Sequence, residues 1–86
     1  MNDIKLKDIV FHNIAARYII NEKIDINIKE DKIVLDNYIQ LLEISKKIYE
    51  TLKSKKYSPE DLNKLIEQKN NLSNNFKLLT NIIWKL

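Results

Sequence analysis

Four kinds of residue are missing or nearly so, and each absence closes off a class of function. Cysteine is absent, so no disulfide staples the chain and no thiolate is at hand to ligate a metal or attack a substrate. Glycine is absent as well. Phosphate-cradling loops and dinucleotide fingerprints use glycine for positive φ or close backbone approach, so both nucleotide-binding motifs are excluded. Histidine occurs once, at His12, and arginine once, at Arg17. No run approaches the roughly 18 unbroken apolar residues of a membrane span, and the opening MNDIKLKDIV lacks the basic, apolar and small-residue order of a signal peptide. These features give the expectation of a cytoplasmic chain without a membrane span.

What remains is the composition of a folded helical protein. Over 86 residues the chain is 44% hydrophobic and 31% charged, which matches a globular domain rather than a disordered tail. The length fits a single domain, 1–86, with a thin core of its own. The formal net charge is +3, but the basic residues are concentrated in the second half. Residues 44–86 hold Lys46, Lys47, Lys53, Lys55, Lys56, Lys64, Lys69, Lys77 and Lys85 against Glu50, Glu60, Asp61 and Glu67.

The single proline marks the clearest boundary. In Tyr57-Ser58-Pro59-Glu60-Asp61 the serine hydroxyl can cap a helix and proline suits the first helical position. The two carboxylates favour the positive end of the helix dipole. Forward from there, Leu62, Leu65, Lys69, Leu72, Phe76, Leu79 and Ile83 recur in steps of three and four, the spacing of one packed helix face. Backward, Val34, Tyr38, Leu41, Ser45, Ile48 and Leu52 do the same. Two long helices joined by a short turn make an antiparallel hairpin. Ser45 and Lys69 are the polar interruptions of the two ladders, expected at about the same height. They read either as a register-fixing polar layer or, more simply, as a lysine whose stem lies on the core while its ammonium reaches water.

The N-terminal stretch has helical spacing with two apolar faces. Phe11, Ile14, Ala15 and Tyr18 form one; Leu6, Ile9, Val10, Ala16 and Ile20 form the other. A helix apolar on two sides needs covering on two sides. The strict alternation Ile24-Asp25-Ile26-Asn27-Ile28 reads as an extended connector, with a short edge strand as the alternative. The expected fold is therefore all-α, a small antiparallel three-helix bundle built on a long helical hairpin, with helices over 3–21, 30–55 and 59–85.

No set of residues assembles into a recognisable catalytic centre. His12 has Asp8 one turn earlier, a pairing that more simply makes a surface contact than a general base. Glu30, Asp31, Asp36 and Glu43 lack the Glu-x-x-His pairs of a diiron bundle and the glycine of an EF-hand, and read as a solvated face. The expectation is a non-enzyme without cofactor or metal, acting by binding a macromolecular partner. Leu78, Ile82, Trp84 and Leu86 lie off the inner ladder of the third helix. Together with Ile9, Ala16 and Ile20 they are the candidate protein interface, whose expected closure is a homodimer. Lys46, Lys53, Lys55, Lys56, Tyr57 and Lys64 gather near the hairpin turn as candidate phosphate contacts, a nucleic-acid reading weakened by the lack of arginine there.

The stretch Leu41 to Ile66, LLEISKKIYETLKSKKYSPEDLNKLI, resembles the middle of the bacteriocin immunity proteins of lactic acid bacteria. The likeness covers under a third of the chain and consists of an amphipathic helix, a lysine-rich turn and the start of a second helix. It implies a small basic cytosolic helical bundle that protects a producer cell from its own pore-forming peptide by engaging the targeted receptor. It carries no site residue of its own, and the fourth helix and tail of that family have no counterpart in this sequence.

Overall fold

The computed structural model describes residues 6–22 and 30–86, with side chains from Ile9 onward. It contains three helices, α1 (Leu6–Ile19), α2 (Lys32–Ser54) and α3 (Pro59–Thr80). The alternating stretch 24–28 and the Asp8 and Leu6 side chains fall outside the described residues.

The hairpin forms as its sequence dictates. Ser58 is extended and its hydroxyl accepts from the Asp61 N–H at 3.2 Å, with Pro59 in the first turn and Glu60 and Asp61 beside the exposed amides. The four-residue turn reverses the chain. Asn37 then lies against Leu72, and Tyr38 against Phe76, so α3 packs back along α2, consistent with the expected hairpin. At the other end of the turn α2 closes on Lys55, whose φ of 58° places it in the left-handed region. Asn21 after α1 and Asn81 after α3 are also left-handed, with φ of 69° and 61°. A chain without glycine thus ends its helices on asparagine, which tolerates this conformation, and in one case on lysine, which does so at a cost.

The core sits toward the end of the hairpin remote from the turn. Tyr38, Phe11, Phe76, Leu41 and Leu42 are fully buried, with Ala15, Val34, Ile44, Ile82 and Trp84 around them. Ile14, Tyr18, Ile48, Leu65 and Leu72 close the edges. From Leu52 to Asp61 every residue is exposed, so the tip of the hairpin projects beyond the packed region.

The third helix is shorter than its apolar spacing predicts. It stops at Thr80, five residues before the expected boundary, and the chain continues without regular structure to Leu86. Three local interactions end it. Thr80 Oγ1 donates back to the Phe76 carbonyl at 2.7 Å, accepts from the Ile82 N–H at 3.1 Å, and Asn81 caps the helix by donating its N–H to the Lys77 carbonyl at 2.7 Å. Beyond the cap the side chains alternate as in an extended strand: Ile82 and Trp84 are buried, Ile83 and Lys85 exposed. Leu79 and Ile83, expected on the inner ladder, are 44% and 58% exposed.

Candidate binding surfaces

Residues 81–86 fold back across the bundle, and Trp84 occupies the seam between α1 and the hairpin. Its ring packs edge-on against Tyr38 and Phe76, at 5.8 and 5.7 Å between centroids, and lies 5.4 Å from the His12 ring. The indole N–H donates to Ser45 Oγ at 3.1 Å. Next along the tail, the Lys85 amide donates to His12 Nε2 at 3.1 Å, and Lys69 Nζ donates to the Leu86 main-chain oxygen at 2.7 Å. The two polar interruptions of the hairpin ladders therefore both receive the tail. His12 engages it through an imidazole nitrogen that acts as acceptor.

Tyr38 completes this centre. Its ring lies 4.5 Å from Phe11 and its hydroxyl donates to the Phe11 carbonyl at 2.6 Å, tying α2 to α1. Burial raises the Tyr38 pKa well above the ordinary phenol value, because the phenolate would lose its hydration. The hydroxyl is held as a donor.

This arrangement changes the expected interface. Ile82 and Trp84 are 5% and 6% exposed and belong to the core. The bundle covers them because α3 ends early and turns the tail inward, which a helix running to residue 85 would not allow. Leu78 and Leu86 are at the surface, 84% and 39% exposed. On α1 the division into two faces holds: Phe11 and Ala15 are buried, whereas Ile9, Val10 and Ile20 are 49%, 37% and 56% exposed and Ala16 is at the surface too. Ile9, Asn13, Ala16 and Ile20 recur at steps of four, three and four, a narrow exposed stripe with one polar member and one small one.

The lysine set divides as well. Lys46 lies over the Tyr18 ring at 4.7 Å, at the junction of α1 and α2. Lys53 lies 6.0 Å from the Tyr49 ring centroid, and Lys55, Lys56, Tyr57 and Lys64 are exposed around the turn. On the hairpin, an open groove of about 490 Å³ runs between Gln40, Glu43, Ile44 and Lys47 of α2 and Gln68, Asn71 and Leu72 of α3. Near it Asn37 donates to the Leu72 carbonyl at 3.0 Å, while its own side-chain oxygen is buried without a partner. The groove walls combine Ile44 and Leu72 with amides and the opposed charges of Glu43 and Lys47, with no paired nucleophile and base among them. Among the described residues no three His, Cys, Asp or Glu side chains gather as a metal site would require, and no helix is long and apolar enough to cross a membrane.

The chain matches no family model, no curated protein and no solved structure. The likeness of Leu41 to Ile66 to the immunity proteins therefore stands on those residues alone.

Proposed function

We propose that this is a non-enzymatic binding protein whose outer α1 face receives a helix of a macromolecular partner. The observation that carries the reading is the seam of Ile9 and Ala16, flanked by Val10 and continued by Ile20 in the turn just past α1, exposed on the side away from the buried Phe11 and Ala15. A helix needs only one apolar stripe to dock on its own hairpin. The second stripe adds nothing to that packing and lowers solubility, which is the mark of a surface kept for contact.

Magnitudes bear on whether a second copy of the chain is enough. Ile9, Val10 and Ile20 are each about half covered already, so full burial of each adds roughly 1 kcal/mol. Two copies then gain on the order of 6 kcal/mol, comparable with the low end of the roughly 4–15 kcal/mol cost of association. A dimer through α1 alone is weak, and a partner with its own buried anchors is favoured over self-association.

Ile20→Glu tests this. The variant should keep its helix content and stay within about 0.5 kcal/mol of the parent stability, as an exposed substitution does, while losing the proteins that the parent captures and any dimer seen by light scattering. If the variant unfolds, the face is structural; if it captures the same proteins as the parent, the partner sits elsewhere.

A further inference from the structure

The tail and the seam that it fills are joined through the chain at Asn81, and nothing in their contact requires both to belong to one molecule. Residues 81–86 follow the α3 cap without regular structure. They are seated by the buried Ile82 and Trp84 and by the hydrogen bonds of Trp84 to Ser45, Lys85 to His12 and Lys69 to Leu86. The hinge is the unfavourable part of this arrangement. Asn81 is left-handed, with φ of 61°, which asparagine tolerates but an unstrained chain avoids. Leu78 and Leu79 before the hinge and Ile83 after it are exposed, although Leu79 and Ile83 stand at helical spacing from the buried Phe76. Straightening the chain at Asn81 releases the left-handed residue, and it also frees the tail.

We propose that the tail is exchangeable between molecules, so that in a pair the seam between α1 and the hairpin of each copy is completed by Ile82 and Trp84 of the other. A second copy is the occupant whose fit is already visible, because its tail has the same sequence. Its indole N–H meets Ser45, its Lys85 amide meets His12 and its Leu86 carbonyl meets Lys69, so the buried contacts of the closed form are all kept. The closed and exchanged forms then differ at the hinge and in the freedom lost on pairing. Six extended residues span at most about 20 Å, so the α3 ends of the two copies must lie side by side, which is where Leu78 and Leu79 are exposed. A chain's own tail competes at an effective concentration on the order of millimolar, as for any short flexible linker. Exchange belongs to that concentration range. It is slow, since a tail must leave its own seam first, so freshly diluted protein is closed and any contact through the outer α1 face is read separately.

The chain has no cysteine, so single-cysteine variants report the exchange cleanly. Full-length His12→Cys and Lys85→Cys chains are mixed, equilibrated at about 1 mM and treated with a short bis-maleimide. The two positions meet across the seam, so a cross-linked pair with one chain of each kind marks a tail seated in another copy. Its yield should exceed that of a His12→Cys and Lys55→Cys collision control by about tenfold or more, because a seated tail holds the two thiols above the concentration of free encounter. Adding Trp84→Ala to the Lys85→Cys chain should return the yield to the control level, since that tail competes with parental tails for the seam and lacks the buried ring. Circular dichroism checks the helix content of each variant. If Trp84→Ala lowers it, Trp84→Phe, which keeps a ring but not the N–H for Ser45, should reduce the yield about fivefold. A yield at Lys85→Cys no higher than the collision control overturns the proposal. So does a yield that neither Trp84 substitution changes, which would put the contact outside the seam.

Discussion

Ser45 shows how much a single side chain depends on where the tail goes. In the sequence it is a polar break in an apolar ladder; in the fold it is 4% exposed and accepts the Trp84 indole N–H. A buried donor left without its acceptor costs about 1–3 kcal/mol, whereas removing both partners together costs much less. Ser45→Ala should therefore destabilise the chain by about that amount, measured by urea unfolding. In a Trp84→Phe background the same change should cost roughly 1 kcal/mol less, the difference being the coupling of the pair. Additive effects would mean that the tail does not occupy the seam in solution. His12 and Lys69 repeat the pattern more weakly, since their contacts with Lys85 and Leu86 of the tail are solvent-exposed. The exposed Arg17–Glu22 pair, at 3.8 Å, contributes little by comparison.

The elements were legible in the sequence where local chemistry and periodicity agree. The start of α3 combines a cap, a proline and two acidic residues, and it lies where that combination puts it. The two faces of α1 were equally legible, because a period of 3.6 separates Phe11, Ile14, Ala15 and Tyr18 from Ile9, Ala16 and Ile20. The end of α3 was not, and the cause is specific. Ile83 follows Leu79 by four, which continues a helical ladder, but Ile82, Ile83, Trp84 and Lys85 also satisfy the inside-outside alternation of an extended segment. Asn81, a residue that favours the left-handed cap, was the signal that separates the two readings. That one boundary moves Ile82 and Trp84 from surface to core and removes those two of the seven residues of the expected interface. The same capping logic yields a test at Lys55, whose left-handed backbone suits glycine or asparagine better than lysine. Lys55→Gly relieves about 1–2 kcal/mol of backbone strain and gives back part of it as added freedom of the unfolded chain. A net gain of about 0.5–1 kcal/mol should raise Tm by a few degrees in thermal unfolding. A lower Tm would show that the lysine stem is supporting the turn.

At the scale of the whole molecule, the packing is lopsided, and stability should follow it. Tyr38 touches Phe11, Phe76 and Trp84, so α1, α2, α3 and the tail all meet within one aromatic cluster. The hairpin tip has only its own two helices to rely on. Local opening requires little free energy where few apolar contacts are lost, and approaches the global unfolding free energy where the core itself must separate. Amide hydrogen exchange should therefore grade along α2. Protection should be highest from Tyr38 to Ser45 and lower by about two or more orders of magnitude from Glu50 to Ser54, with a matching gradient from Phe76 back to Leu62 on α3. A small domain with a thin core has little reserve, so opening at the tip should be separable from global unfolding by its weaker dependence on urea. Equal protection from core to tip would contradict this picture, because it would require the tip to be covered by something other than its own chain.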